Sequence, residues 1–447
     1  MSNIDKNWRD KYRKKIISGP EAAQKIKSGM GIEMLAITSE SRLITDPLTQ
    51  RQDIEDVRIY FSFMRPDSAF VKPDKFVNRF KLYSHFVSDV TRPLVEKGLI
   101  DFIPSHNSSA NRQFTDGHIK IDAAILNLTP PDRNGFLNFS FRPSLHKPMV
   151  HQLKREKRDR FLVIATINEY LPACCGDTLI HESEIDFMVE DSSPMKPIPW
   201  YKGEDLGQEI DAIAKNVATL VEDGATLEFG IGKIPPNVCR ALMSKNDLGI
   251  HTELLSGPIF DLIKAGVVTG KYKTLHPYHV VFGFAYPNSM EMYEWFDCNP
   301  ICTAYPLDYV CDSRVVYKNY KFTAINSAIQ VDLTGQNNSE VIYNNQWSGT
   351  GGQLDYMKAA CWSEDGKAII AMKSTAKGGM ISRITGNSFY PGGGTTCRND
   401  IQYVVTEYGV AELEGRSLTE RAHALIEIAH PKFRDELIQQ AKERHLW

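Results

Sequence analysis

Ala225-Thr226-Leu227-Glu228-Phe229 runs directly into Gly230-Ile231-Gly232, and Pro235-Pro236 follows at once. The short apolar run reads as a strand, the two glycines as a turn, and the prolines as the opening of a helix through Leu242. Strand, glycine turn and helix in that order form a mononucleotide-type unit. Such a unit belongs in a parallel sheet covered by helices, and its exposed amides can receive an anion or a carbonyl oxygen. The turn has neither the G-x-G-x-x-G spacing of a dinucleotide site nor the Gly-Lys-Ser/Thr of a P-loop. By itself it marks a fold more firmly than a function.

The same alternation extends through the first half. Val57 to Phe63, Ala123 to Leu128 and Phe161 to Thr166 read as strands separated by stretches of helical spacing. This predicts a mainly parallel sheet covered on both faces. Ser18-Gly19-Pro20-Glu21 predicts a capped helix through Ile26. The basic cluster of Lys6, Arg9, Lys11, Arg13, Lys14 and Lys15 predicts the solvated face of a short N-terminal helix. Pro148 to Lys157 predicts an exposed helix. With 447 residues the chain is too long for one ordinary core. Three prolines between Ser192 and Trp200 mark an extended linker. The division expected is residues 1–193, a linker over 194–204, and residues 205–447.

Composition removes several classes of function. A net charge of -3 lacks the basic excess of a nucleic-acid binder. No apolar run approaches the roughly 20 residues of a membrane helix. The first residues lack the apolar core of a signal peptide, and Asp5 and Asp10 argue against a transit peptide. The eight cysteines have no zinc-site spacing and read as reduced thiols of a cytoplasmic protein.

In the second half Ile210, Ile213, Val217, Leu220 and Val221 share one helical face. Asp247 to Gly257 then places Glu253 beside His251 among small and apolar residues, where a βα loop would open onto a cleft. On composition alone this glutamate also fits a surface or helix-start position. Ile325 to Gln336 reads as one strand with polar residues among apolar ones. Gly349-Thr350-Gly351-Gly352 exposes backbone amides and cannot be core. Gly392-Gly393-Gly394 reads as a flexible loop, and Lys373 to Lys377 as a basic strand end. Ser417-Leu418-Thr419-Glu420 is a second capping box, followed by a helix stopped at Pro431 and a last amphipathic helix.

In order along residues 205–435, several segments resemble the acetyl-CoA hydrolase/transferase family, in its 4-hydroxybutyrate and butyryl-CoA:acetate CoA-transferase branch. They are Gly230-Ile231-Gly232-Lys233-Ile234-Pro235, Gly249-Ile250-His251-Thr252-Glu253, Ile325-Asn326-Ser327-Ala328 and Gly351-Gly352-Gln353-Leu354-Asp355. Ser374 to Lys377 and Tyr403 to Ala411 continue the match. The first half resembles it more loosely, through Pro130-Pro131-Asp132 and Ile180-His181.

The resemblance implies two similar open-sheet α/β domains with the active site in the interdomain cleft, and usually a homodimer. It implies a transfer of coenzyme A between short-chain carboxylates of the acetate, butyrate or 4-hydroxybutyrate type, with no metal or redox cofactor. Glu253 would attack the thioester carbonyl, giving an acyl-glutamyl anhydride and CoA thiolate. The thiolate then attacks the glutamyl carbonyl, releases the acid and leaves a glutamyl-CoA thioester, and a second carboxylate reverses these steps. The Gly352 amide, and Gly230 or Ile231, would hold oxyanions. Gly230, Ile231, Gly232, Ile234, Pro235, Asn326, Gly351, Asp355, Lys373 and Lys377 would contact the coenzyme or the reacting carboxylates; solvated lysines and a sheet-capping Asn326 are the alternatives. The chain departs from the family at Gly31 to Glu40, at Leu137 to Arg142 and at Ser256-Gly257-Pro258. Arg142 or Arg65 could pair with a second carboxylate and favour a dicarboxylate (itaconate-type) acceptor, or could be surface arginines. Hydrolysis by water and coenzyme binding without turnover remain the other readings.

Overall fold

A computed structural model describes all residues except 1–3, 35–39, 73–75, 77, 199–206 and 387–392. Chain contacts divide it into two compact units, Met1–Ile198 with Gly283–Asp308, and Pro199–Phe282 with Tyr309–Trp447. A contiguous cut at the proline-rich segment would leave Gly283–Asp308 in the second half. Phe141 instead stacks on Phe296 at 5.3 Å, and Thr303-Ala304 pairs with Cys175-Gly176, which ties that segment to the first unit. The linker expected over 194–204 lies partly outside the described residues, as does Gly392 of the expected glycine loop.

The first unit is built on seven parallel strands, in the order 187–191, 162–168, 123–128, 31–34, 57–61, 80–84, 101–102. The strand Ala123–Leu128 shows why it is mostly apolar. Ala124, Leu126 and Leu128 enter one buried cluster while Ala123 and Ile125 enter the other, so both faces are covered. The capping box at Ser18 and Glu21 forms as expected and starts the helix Gly19–Lys25. The N-terminal basic segment is more than a solvated face. Trp8 is buried in the core, while Arg9 and Lys15 pair with Glu190 and Glu182. The helix His146–Lys157 is only half exposed, because His146, Met149, Val150 and Leu153 are buried.

In the second unit the strands run in the order 409–412, 403–406, 367–371, 322–326, 226–229, 249–255; all neighbours are parallel except the outermost hairpin. The helix Gln208–Leu220 buries Ile210, Ile213 and Val217, the expected face. The single strand expected over 325–336 is broken. It ends at Asn326, and Gln330–Asp332 pairs instead with Asn337-Asn338 and Ile384-Thr385. The second capping box, Ser417 with Glu420, forms. Among the described residues no helix is long and apolar enough to cross a membrane.

Candidate active site

Parallel pairing sets the site. Thr226 lies opposite Gly249 and Leu227 opposite Ile250; on the other side Glu228 lies opposite Ala324 and Phe229 opposite Ile325. Side chains alternate between the faces of a strand, so Glu228, Glu253 and Asn326 project to one face from three adjacent strands. All three sit toward the C-terminal ends, where loops build sites on parallel sheets. Glycine is needed at the base of the central stretch, since a Cβ on Gly249 would stand 2.5 Å from the Lys273 side chain.

The loop before the helix Gln353–Trp362 reaches the same place. Gly351 takes a left-handed φ of 56°, and the Gly352 amide then donates to Glu253 Oε2 at 3.1 Å. A Cβ on Gly352 would meet that oxygen at 2.6 Å and the Tyr356 ring at 2.9 Å, so no other residue fits without displacement. The amide stands at the positive end of a ten-residue helix, which favours negative charge there.

Behind Glu253 lies a second carboxyl. Glu228 is 2% exposed and accepts a hydrogen bond from Asn326 Nδ2 at 2.7 Å. Burial, and then the charge of Glu253, hold its carboxyl well above the usual carboxylate range; hydrogen bonds from Asn326 and the Ile325 backbone pull the other way. Burial likewise raises the Cys311 thiol and the Tyr356 phenol, which lie 3.4 Å apart. Cys311 therefore stays a thiol and is no rival nucleophile.

His251 belongs to the structure, not to proton transfer. It is fully buried, its Nε2 donates to the Val310 carbonyl at 3.0 Å, and burial pushes its pKa down to about 3.

Other residues expected from the sequence are distributed more widely. Gly230, Ile231, Gly232 and Pro235 line a small cleft with Leu254 and Ser256; Glu253 is not among its lining residues. The Gly230 amide donates to the Ile325 carbonyl at 2.9 Å, so it is committed to the sheet and Ile231 is the more available donor of the two. Ile234 is buried at its helix start, and Asp355 is buried in the first turn after Gly352. Lys373 pairs with Glu209 at 2.5 Å, and Lys377 donates to the Tyr343 hydroxyl at 2.9 Å. Arg65 is held by Asp67 through two hydrogen bonds. Arg142 is no surface arginine: it is 4% exposed, against the rings of Phe284 and Tyr286. Sequence reasoning missed Glu228, Tyr356 and Cys311. Only Glu228 left a signal, an acidic residue in an otherwise apolar strand.

A parallel α/β scaffold that presents a strand-end carboxylate to a loop amide defines a protein equipped for nucleophilic acyl chemistry. The family model for the acetyl-CoA hydrolase/transferase N-terminal domain matches residues 1–199, and that for the C-terminal domain matches residues 289–441. The 4-hydroxybutyrate coenzyme A transferase of Clostridium kluyveri is 37% identical over 98% of this chain and 99% of that protein. The succinyl-CoA:cyclohexane-1-carboxylate CoA transferase of Geobacter metallireducens is 35% identical over 99% and 98%. The crystal structure of RipA from Yersinia pestis superposes with a TM-score of 0.89 at 36% identity, covering 98% of this chain and 100% of that one. The chain belongs to the acetyl-CoA hydrolase/transferase family.

Proposed function

We propose that the chain is a CoA-transferase that moves coenzyme A between short-chain carboxylates through a glutamyl-CoA thioester on Glu253. The observation that carries this reading is the Gly352 amide on Glu253 Oε2 at 3.1 Å. That donor holds the carboxylate oriented at rest. Once Glu253 is acylated, the same amide can receive the oxyanion formed when the CoA thiolate attacks the glutamyl carbonyl. A preorganised donor of this kind typically contributes about 3 kcal/mol. Full-length relatives bearing CoA-transferase names support the reading.

A carboxylate is a weak nucleophile, so the rate must come from orientation and from interactions with remote parts of the coenzyme. The cleft along Gly230 to Pro235 is the candidate place for part of that coenzyme, with Asp355, Lys373 and Lys377 as further contacts. Eight free cysteines fit a reducing, cytoplasmic setting, and the assembly proposed is a homodimer.

The test is intact mass after incubation with acetyl-, butyryl- or succinyl-CoA and no acceptor. A CoA adduct that added carboxylate discharges, and that Glu253→Ala lacks, is the expected result. Thiol released steadily without any acceptor would move the assignment to hydrolysis. An adduct that persists in the variant would remove Glu253 as nucleophile.

A further inference from the structure

The transferase reading accounts for Glu253 and Gly352 but leaves the buried carboxyl behind them without a role. Glu228 is 2% exposed, and among the described residues no lysine, arginine or histidine forms an ion pair with it. The titratable groups that face it are Glu253 and, on the same face of that neighbouring strand, His251, which burial keeps neutral, with Cys311 and with Tyr356 from the helix after Gly352. None of these is a cation. An isolated carboxylate in such a place would lose its hydration and gain only repulsion from Glu253. Its side-chain partner is the Asn326 amide at 2.7 Å, and the Ile325 backbone also hydrogen-bonds it. The opposite end of that amide lies over Gly230, where a Cβ would stand 2.6 Å from Asn326 Oδ1.

We propose that Glu228 is a positioning residue that works as an un-ionised carboxylic acid, accepting from Asn326 and thereby holding that amide on the sheet face from which Glu253 projects. Resting on the transferase reading, the proposal explains why an acid is tolerated there. Its neutral form supplies the acceptor Asn326 needs without opposing the negative charge that builds on the glutamyl oxygen and the departing thiolate. Burial and the charge of Glu253 act in the same direction on its protonation. Ionisation of Glu228 at high pH would add a second charge and slow the chemistry, while leaving coenzyme binding largely alone.

The experiment compares wild type, Glu228→Ala and Glu228→Gln in the full chain. Two readouts are used: the pH dependence of adduct formation from acetyl-CoA, and the infrared carbonyl stretch of a protonated carboxyl. The Ala variant should lose roughly tenfold to a hundredfold in the rate of adduct formation with KM little changed. Gln, which is neutral and keeps an acceptor oxygen, should rescue most of that loss and should lack the decline wild type shows at high pH. The protonated-carboxyl band of wild type at neutral pH should disappear in the Gln variant. Rescue by Gln that fails, or a wild-type pH profile that Gln leaves unaltered, would overturn the proposal. Lack of any wild-type adduct would count against the transferase reading instead. The infrared band still decides the Glu228 half in that case, because its absence at neutral pH means the group is ionised.

Discussion

Each unit buries a glutamate in its sheet, and the two are handled differently. Glu33, on the first unit's strand Gly31–Met34, is 1% exposed and lies 2.5 Å from His146 Nε2. The angle of that contact is not a hydrogen bond's, so it is a close polar contact between side chains and not a directed one. Arg142 is buried in the same unit, and Glu33 is among the groups acting on it. Glu228 in the second unit has only neutral hydrogen-bond partners, the Asn326 amide and the Ile325 backbone, and sits near another carboxylate. One buried acid is given basic neighbours and serves the fold. The other is left beside a carboxylate with no basic neighbour, which in our proposal keeps its own carboxyl un-ionised.

The largest effect that tests this contrast belongs to Glu253. Glu253→Ala should lower CoA exchange by about 10^4-fold or more while leaving thermal stability largely unchanged, because the un-ionised Glu228 beside it loses no charge partner. A marked fall in Tm would instead place Glu253 among the structural acids. Gly352→Ala comes next, with a loss of about 10^2 to 10^3-fold in exchange, since the new Cβ would occupy the space of the Glu253 oxygen. Near-normal exchange in that variant would remove the amide from the mechanism.

For the first unit the expectation is reversed. His146→Ala leaves Glu33 buried beside an empty space and should cost about 3 kcal/mol in urea denaturation. Adduct formation at Glu253 should survive at temperatures where the variant remains folded. An unchanged unfolding midpoint would mean that Glu33 does not depend on His146.

Acid provides a smaller test in both units. Burial pushes His251 down to about 3 and His85 down to about 4, from an ordinary 6.5. A depressed value stabilises the folded state above pH 6.5, and that contribution is lost as pH falls toward the folded value. Urea midpoints measured between pH 7 and pH 4 should therefore decline, and His251→Gln or His85→Gln should flatten the decline. Smallest of all is Lys373→Ala. Its partner Glu209 is 53% exposed, so stability should change by less than about 1 kcal/mol. A rise in KM for acyl-CoA would make Lys373 a coenzyme contact, and an unchanged KM would leave it a surface ion pair.

Much of the fold was legible because it depends on local rules. Short runs such as Ala123–Leu128 can only be strands buried on both faces, and Ser18 with Glu21 or Ser417 with Glu420 cap helices through contacts three residues apart. The resemblance to the family, and not composition, singled out Glu253 and Gly352, which are 99 residues apart in the chain and in contact in the structure. The break after Asn326 was not legible, because the pairing of Gln330–Asp332 with Ile384-Thr385 joins residues more than fifty positions apart.

The sequence by itself determined most of the strand and helix types and the capping of two helices, and its resemblance to the family pointed to Glu253 and Gly352. Only the tertiary structure decided which groups share a surface: that Gly283–Asp308 packs with the first unit, that Arg142 is buried, and that Glu228 stands behind Glu253. Propensity and capping act within a few residues. Burial, register and the field around a charge depend on neighbours that folding alone brings together.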